Sequence, residues 1–145
     1  MSEIDKSKEL MTSVVLVNSK LNFKGYVDES QSVSIDYTPP LGDNLGFTSL
    51  ELFLMSLSSC AGSAILTLLR RMNKNISMFE IQSKGTRKQQ HPTGFSSVLM
   101  MINLSSPDIT MEDIDKAIEL SEGICPVWSM LKGNVEIDFD CQISE

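Results

Sequence analysis

The sequence contains no uninterrupted run of about 18 apolar residues. Its N-terminus, MSEIDKSKELMTS, mixes charges of both signs and lacks an apolar stretch before a small-residue cleavage site. Neither a membrane span nor a secretory leader is expected, which places the chain in the cytoplasm. There is one histidine, there are three cysteines, and no two cysteines form a CxxC. That set is too poor for a zinc site, and an odd cysteine count without a secretory signal argues against a disulfide framework. Positive charge is also scarce: 12 Lys and Arg face 19 Asp and Glu, a net charge of −7. The densest basic region, Arg70, Arg71, Lys74, Lys84, Arg87 and Lys88, is interleaved with polar residues. It forms no stripe along which clustered cations would release counterions from a phosphate backbone, so nucleic acid is disfavoured as a partner. No motif calls for a cofactor.

What is present fits one domain. A chain of 145 residues buries roughly 70% of its unfolded surface, enough for a core without staples. Residues 1–12 read as a polar lead-in. The apolar run Val14 to Val17, with its β-branched valines, suits a strand, and Leu21, Phe23, Val33, Ile35 and Tyr37 alternate with polar neighbours around the turn-like Asp28-Glu29-Ser30-Gln31. Residues 39–46, dense in Pro, Gly and Asx, form a loop.

Thr48 followed three residues later by Glu51 is the pattern of a capping box, so a helix is expected from Ser49 to about Met72. Its apolar residues surround most of the circumference, which predicts burial on nearly all sides. Phe79 to Leu104 reads as a hairpin with a polar tip at 88–94. Thr110 caps an amphipathic helix that Gly123 and Pro126 interrupt, a short helical turn resumes at Pro126, and the alternation after Gly133 gives a last strand with one wet face. Strands linked mostly by hairpins and interrupted by helices define an α+β class, with antiparallel sheets around a long central buried helix.

Chemistry falls to the cysteines. Cys60 lies mid-helix, where Ser56, Cys60, Ser63 and Thr67 share one face at helical spacing. Two readings stand: small residues that admit a neighbouring helix, with Cys60 as a small hydrophobe, or a pocket wall presenting a thiol. Cys125 precedes Pro126, a residue favoured at the first helical position, so its thiol stands either at a helix N-terminus that favours thiolate or in the core. Cys141, on the apolar face of the last strand, reads as packing. Glu51 reads either as a carboxylate that orients a catalytic cation or, in preference, as the structural partner in the capping box. It stands nine residues from Cys60, about 900° of helical rotation, so the two face opposite sides of an ideal helix. His91, at the hairpin tip, reads as solvated, and Met100 and Met101 as core.

The stretch Leu50-Glu51-Leu52-Phe53-Leu54-Met55-Ser56-Leu57-Ser58-Ser59-Cys60 resembles the "MELLLASLAGC" helix of the OsmC-like family, which includes the organic hydroperoxide resistance proteins. Ser121-Glu122-Gly123-Ile124-Cys125-Pro126-Val127 resembles that family's second-cysteine motif, at a matching spacing of 65 residues. The resemblance runs from about Lys20 to Ile143. It implies an intertwined homodimer with the long helices central and the active sites near the subunit interface. It also implies a thiol-dependent peroxidase acting on organic hydroperoxides, with Cys60 the nucleophile, Cys125 the resolving thiol, and a dithiol such as dihydrolipoamide as reductant. The hydroperoxide reductases of this family hold the thiolate with an N-terminal arginine and a glutamate. Here no Arg precedes Arg70, which leaves Lys20, Lys24 or Arg87 to supply charge, and Leu50 stands where that subgroup has its glutamate, with Glu51 next to it. The alternatives from other classes are a noncatalytic small-ligand-binding protein and a structural module whose cysteines only pack.

Overall fold

The structure is a computed structural model and describes residues 5–28 and 31–145. The start of the polar lead-in, 1–4, and Glu29-Ser30 of the expected turn lie outside the described residues. The chain divides into two compact units, residues 1–52 and 53–145.

The first unit is an antiparallel meander of β1 (Ser13–Leu16), β2 (Phe23–Tyr26) and β3 (Ser32–Ile35), in that order across the sheet. Its register pairs Val15 with Lys24 and Phe23 with Ile35. Side chains of a strand alternate between faces. Val14 and Val15 are nevertheless 57% and 47% exposed, so among the described residues of the first unit nothing fully covers either face of β1. Beyond β3 the loop 36–47 winds around one fully buried carboxylate. Asp36 accepts hydrogen bonds from the backbone amides of Tyr37 (2.7 Å), Asp43 (3.2 Å) and Leu45 (3.1 Å). Burial opposes its charge, but these amides and the nearby Lys20 outweigh that and hold its carboxyl below the usual range. Gly42 is required in this loop, because a Cβ there would collide with Asp36 Oδ1 and with the backbone of Tyr37. The capping box that follows is formed as expected: Thr48 N donates to Glu51 Oε1 at 2.8 Å and Glu51 N to Thr48 Oγ1 at 3.2 Å.

That box opens α1 (Ser49–Arg71), which ends where Asn73 takes a left-handed φ of 61° and the Lys74 amide returns to the Leu69 carbonyl. The second unit lays this helix on a sheet of β4 (Met78–Arg87), β5 (Phe95–Ser105) and β6 (Glu136–Ser144), in the order β4-β5-β6, with α2 (Met111–Glu122) and α3 (Pro126–Leu131) between β5 and β6. The hairpin is β4–β5, paired from Met78↔Ser105 to Arg87↔Phe95. Thr110 caps α2 in a box with Asp113.

The α+β class stands, with two details corrected. The β5–β6 pair is parallel, not antiparallel, because the α2–α3 segment carries the chain back across the sheet before β6 begins. And α1 is not buried on nearly all sides within one chain: Leu57, Ala61, Gly62, Ile65 and Leu69 are buried, while Met55, Ser56, Ser59, Ser63 and Thr67 are exposed. A single sheet layer can cover only one stripe of a helix. The exposed hydroxyls turn inward on their own helix, Ser63 Oγ to the Ser59 carbonyl and Thr67 Oγ1 to the Ser63 carbonyl, each at 2.7 Å. By length and composition α1 is apolar enough to cross a membrane, yet its buried stripe belongs to the core of the second unit.

That core forms two clusters, one around Ile65, Leu69, Ile102, Leu104, Ile114 and Ala117, the other around Leu57, Ala61, Val98, Met100, Cys125 and Trp128. Each fully buried Leu or Ile contributes about 1.5–3 kcal/mol of transfer free energy. The apolar run Val98 to Ile102 resolves into alternation: Val98, Met100 and Ile102 are buried, and Leu99 and Met101 half-buried on the other face.

Candidate functional site: a cysteine pair

The two cysteines singled out by the sequence meet in the second cluster. Cys60 sits on the flank of α1, between buried Leu57 and Ala61 on one side and exposed Ser56 and Ser59 on the other, and is itself half-buried. Cys125 arrives from a different element. The chain leaves α2 at Gly123, the amides of Ile124 and Cys125 both return to the Ser121 carbonyl, and Pro126 starts α3 with Cys125 at its N-cap. This turn drives the Cys125 side chain into the core, where it is 1% exposed.

Cys125 Sγ donates toward Cys60 Sγ across 2.9 Å, and both are free thiols. A disulfide needs its sulfurs at about 2.05 Å, so bond formation requires an approach of only about 0.9 Å. Burial pushes the Cys125 thiol well above its ordinary value, and its hydrogen bond to Cys60 pushes the same way. The backbone amides of Trp128 and Val127, at the start of α3, pull weakly in the opposite direction without forming a full capping bond. Cys125 is therefore a protonated, buried donor, and Cys60 is the member of the pair that solvent reaches. Leu54, Leu57, Val98, Phe95 and Trp128 belong to the same apolar cluster as the pair.

The other candidates have local partners of their own. Glu51 is held in its capping box. Lys20 Nζ pairs with Asp43 at 2.6 Å, and Lys24 Nζ lies 5.9 Å from the centroid of Tyr26, both within the first unit. Arg87 donates from Nε to the Thr93 carbonyl at 2.7 Å and from its second nitrogen to Thr93 Oγ1, which binds it to the hairpin tip. His91 is exposed. Cys141 is half-buried on β6, pushed up to about 11 by burial and by the charges of Asp140 and Asp115. Among the described residues no group of three or more His, Cys, Asp or Glu is placed to hold a metal ion. Sequence reasoning did not single out Trp128, whose ring packs against Phe139 at 5.1 Å and walls the pair. Its position three residues after Cys125, on the inner side of a helix started by Pro126, was the available signal.

A dithiol pair joining the flank of a long core helix to the start of a short one, on a mixed α+β scaffold, defines a class of thiol-bearing protein. Residues 42–140 match the family described as OsmC-like protein, and the chain belongs to that family. Its fold is shared with an OsmC-like protein from Mycoplasma pneumoniae, at 18% identity and a TM-score of 0.82 over 98% of this chain and 100% of that one. An OsmC-like protein of unknown function from Vibrio cholerae superposes at a TM-score of 0.80 with 14% identity, over 92% and 99% of the two chains. An organic hydroperoxide resistance protein from Elizabethkingia anophelis gives 0.68 and 19%, over 94% and 97%. No curated protein matches the sequence.

Proposed function

We propose that this protein is a cytoplasmic thiol peroxidase that reduces organic hydroperoxides through Cys60 and Cys125, its two units acting together as one OsmC-like domain. The observation that carries the reading is the 2.9 Å approach of the two sulfurs. The accessible thiol, Cys60, attacks the distal oxygen of the hydroperoxide as thiolate; the O–O bond breaks and the alkoxide leaves as alcohol after taking a proton. Cys60 becomes a sulfenic acid. Cys125, kept protonated until then by its burial, attacks that sulfur; its proton leaves with the hydroxyl as water, and a disulfide forms. A dithiol of the dihydrolipoamide kind restores both thiols by two exchanges. The apolar side chains of Leu54, Leu57, Phe95 and Val98 in the cluster of the pair favour an alkyl or aryl hydroperoxide over hydrogen peroxide.

The working unit of this proposal is an intertwined homodimer. The exposed stripe of α1 and the uncovered strand β1, with Val14, Val15 and Leu16 all about half-exposed, are surfaces of the kind that a second copy covers. Lys20, Lys24 and Arg87 are the supporting charges such an assembly has available, while Glu51 keeps its place in the capping box. A noncatalytic, small-ligand-binding role is the second reading, favoured by the raised Cys125 and by Arg87 being held at Thr93.

The experiment is the rate of free-thiol loss when reduced protein meets cumene hydroperoxide or hydrogen peroxide, with Cys60→Ser and Cys125→Ser beside it. Rapid loss of two thiols, abolished by Cys60→Ser and diverted to overoxidation by Cys125→Ser, is expected. Loss no faster than that of free cysteine sinks the peroxidase and favours the binding protein.

A further inference from the structure

On the second unit an open groove of about 350 Å³ lies between α2, α3 and β6, sharing Trp128 with the cluster that holds the thiol pair. Its floor is apolar: Ile118 of α2, Trp128 of α3, and Ile137 and Phe139 of β6. Its rim is uniformly acidic, with Asp115, Glu119 and Glu122 spaced along one face of α2 and Asp138 opposite on β6. The two sides arise from different periodicities. Positions 115, 118, 119 and 122 recur at helical spacing on α2, and 137–139 bring both faces of β6 to the groove edge. Among the described residues no basic side chain lines the groove, although Lys132 reaches Glu122 at 3.0 Å from outside the lining.

The geometry points to this groove as a binding site for a small organic monocation with a flat apolar body, such as an aromatic or alkyl ammonium compound. The volume lies in the range of small-molecule sites, about 300–1,000 Å³. The Trp128–Phe139 pair, with centroids 5.1 Å apart and rings inclined by 48°, offers the aromatic surface that an ammonium head or a flat body favours. Among the described residues Asp115, Glu119 and Asp138 have no ion-pair partner, so a bound cation gains their charge without breaking an existing bridge. An anion is repelled by the same rim, and a neutral apolar molecule leaves it unused. The inference is independent of the redox reading, because it involves neither sulfur.

Trp128 is the only tryptophan, so its emission arises at the floor of this groove, and because it also borders the thiol pair the titration is run on fully reduced protein. The test titrates the intact protein with benzyltrimethylammonium and reads both Trp128 emission and backbone amide shifts along α2 and β6. Saturable binding is expected, weakened about tenfold by high salt and by the Asp115→Asn, Asp138→Asn double variant, and absent with benzoate. Both substituted carboxylates are exposed, and thermal unfolding of the double variant verifies that the fold is kept. Any of four results overturns the proposal: no saturable change in either readout, equal affinity for tert-butylbenzene, tighter binding of tetralysine than of the small cation, or a concentration-dependent Trp128 signal without ligand. The last two assign the groove to a basic polypeptide or to a second copy of this chain.

Discussion

Cys60 and Cys125 are 65 residues apart in the chain, yet their sulfur atoms lie 2.9 Å apart, one on the solvent-reached flank of a helix and the other sealed in the core. Closing that gap links the middle of α1 to the start of α3 and restrains the unfolded chain. In the chain-entropy account a loop of this length contributes at most about 4 kcal/mol. Diamide-oxidised protein is expected to unfold at higher guanidinium concentration than reduced protein, with the difference lost in Cys60→Ser and kept in Cys141→Ala. Equal midpoints, with the disulfide verified by mass, would show that the native state is strained by the bond.

Leu57, one turn before Cys60, is fully buried against Val98, Met100 and Trp128. Leu57→Ala is expected to cost about 2–5 kcal/mol by urea unfolding, and to slow disulfide formation by loosening the wall beside the pair. A cost below about 1 kcal/mol would mean the cluster collapses into the space.

Glu51 accepts the Thr48 amide, and a glutamine side chain offers the same carbonyl acceptor. Glu51→Gln should therefore leave stability within about 0.5 kcal/mol and the peroxide reaction unchanged, whereas Thr110→Ala, which removes the cap of α2, should cost about 1 kcal/mol. A drop of about tenfold or more in thiol oxidation with unaltered stability would reassign Glu51 to the chemistry.

Stability is expected to fall in alkali. The Cys141 thiol is raised by burial, then by Asp140 and Asp115, from 9.0 to about 11, so between these values the unfolded chain ionises while the folded one keeps its proton. Its stabilising share is complete below pH 9 and is lost as pH rises through about 11, and Cys125 shifts in the same direction. Cys141→Val should flatten the fall in urea midpoint across this window; an unchanged profile would place the titration elsewhere.

The acid side has the opposite sign. Asp36 is held below 3.8 because the amides of Leu45, Tyr37 and Asp43 overcome the desolvation that opposes them. Its contribution is present above that value and disappears as pH drops through the lowered one. Asp36→Asn is expected to unfold more readily at neutral pH and to show a shallower acid dependence, followed by circular dichroism. A variant as stable as the parent at neutral pH would remove Asp36 as the anchor of loop 36–47.

Much of this was legible in the sequence because it is local. The capping box at Thr48, the cap at Thr110, the turn chemistry of 39–46, the alternation of β6 and the Pro126 helix start each depend on residues a few positions apart, and each formed as read. The two cysteine motifs also pointed to the family that residues 42–140 match. Partnership across distance was not legible. Period-two alternation is the same in a parallel and an antiparallel strand, so only the path through α2 and α3 decided how β6 runs. An apolar helix surface does not say whether one chain supplies its cover, and this one covers a single stripe of α1. Asp36 reads as an ordinary loop aspartate until the loop closes over it, and the acidic groove exists only because α2 and β6 lie side by side. The sequence by itself determined most of the elements and singled out the two thiols. Their 2.9 Å meeting, and the burial that keeps one of them protonated, were decided by tertiary packing, because contact and desolvation belong to the folded arrangement of distant segments.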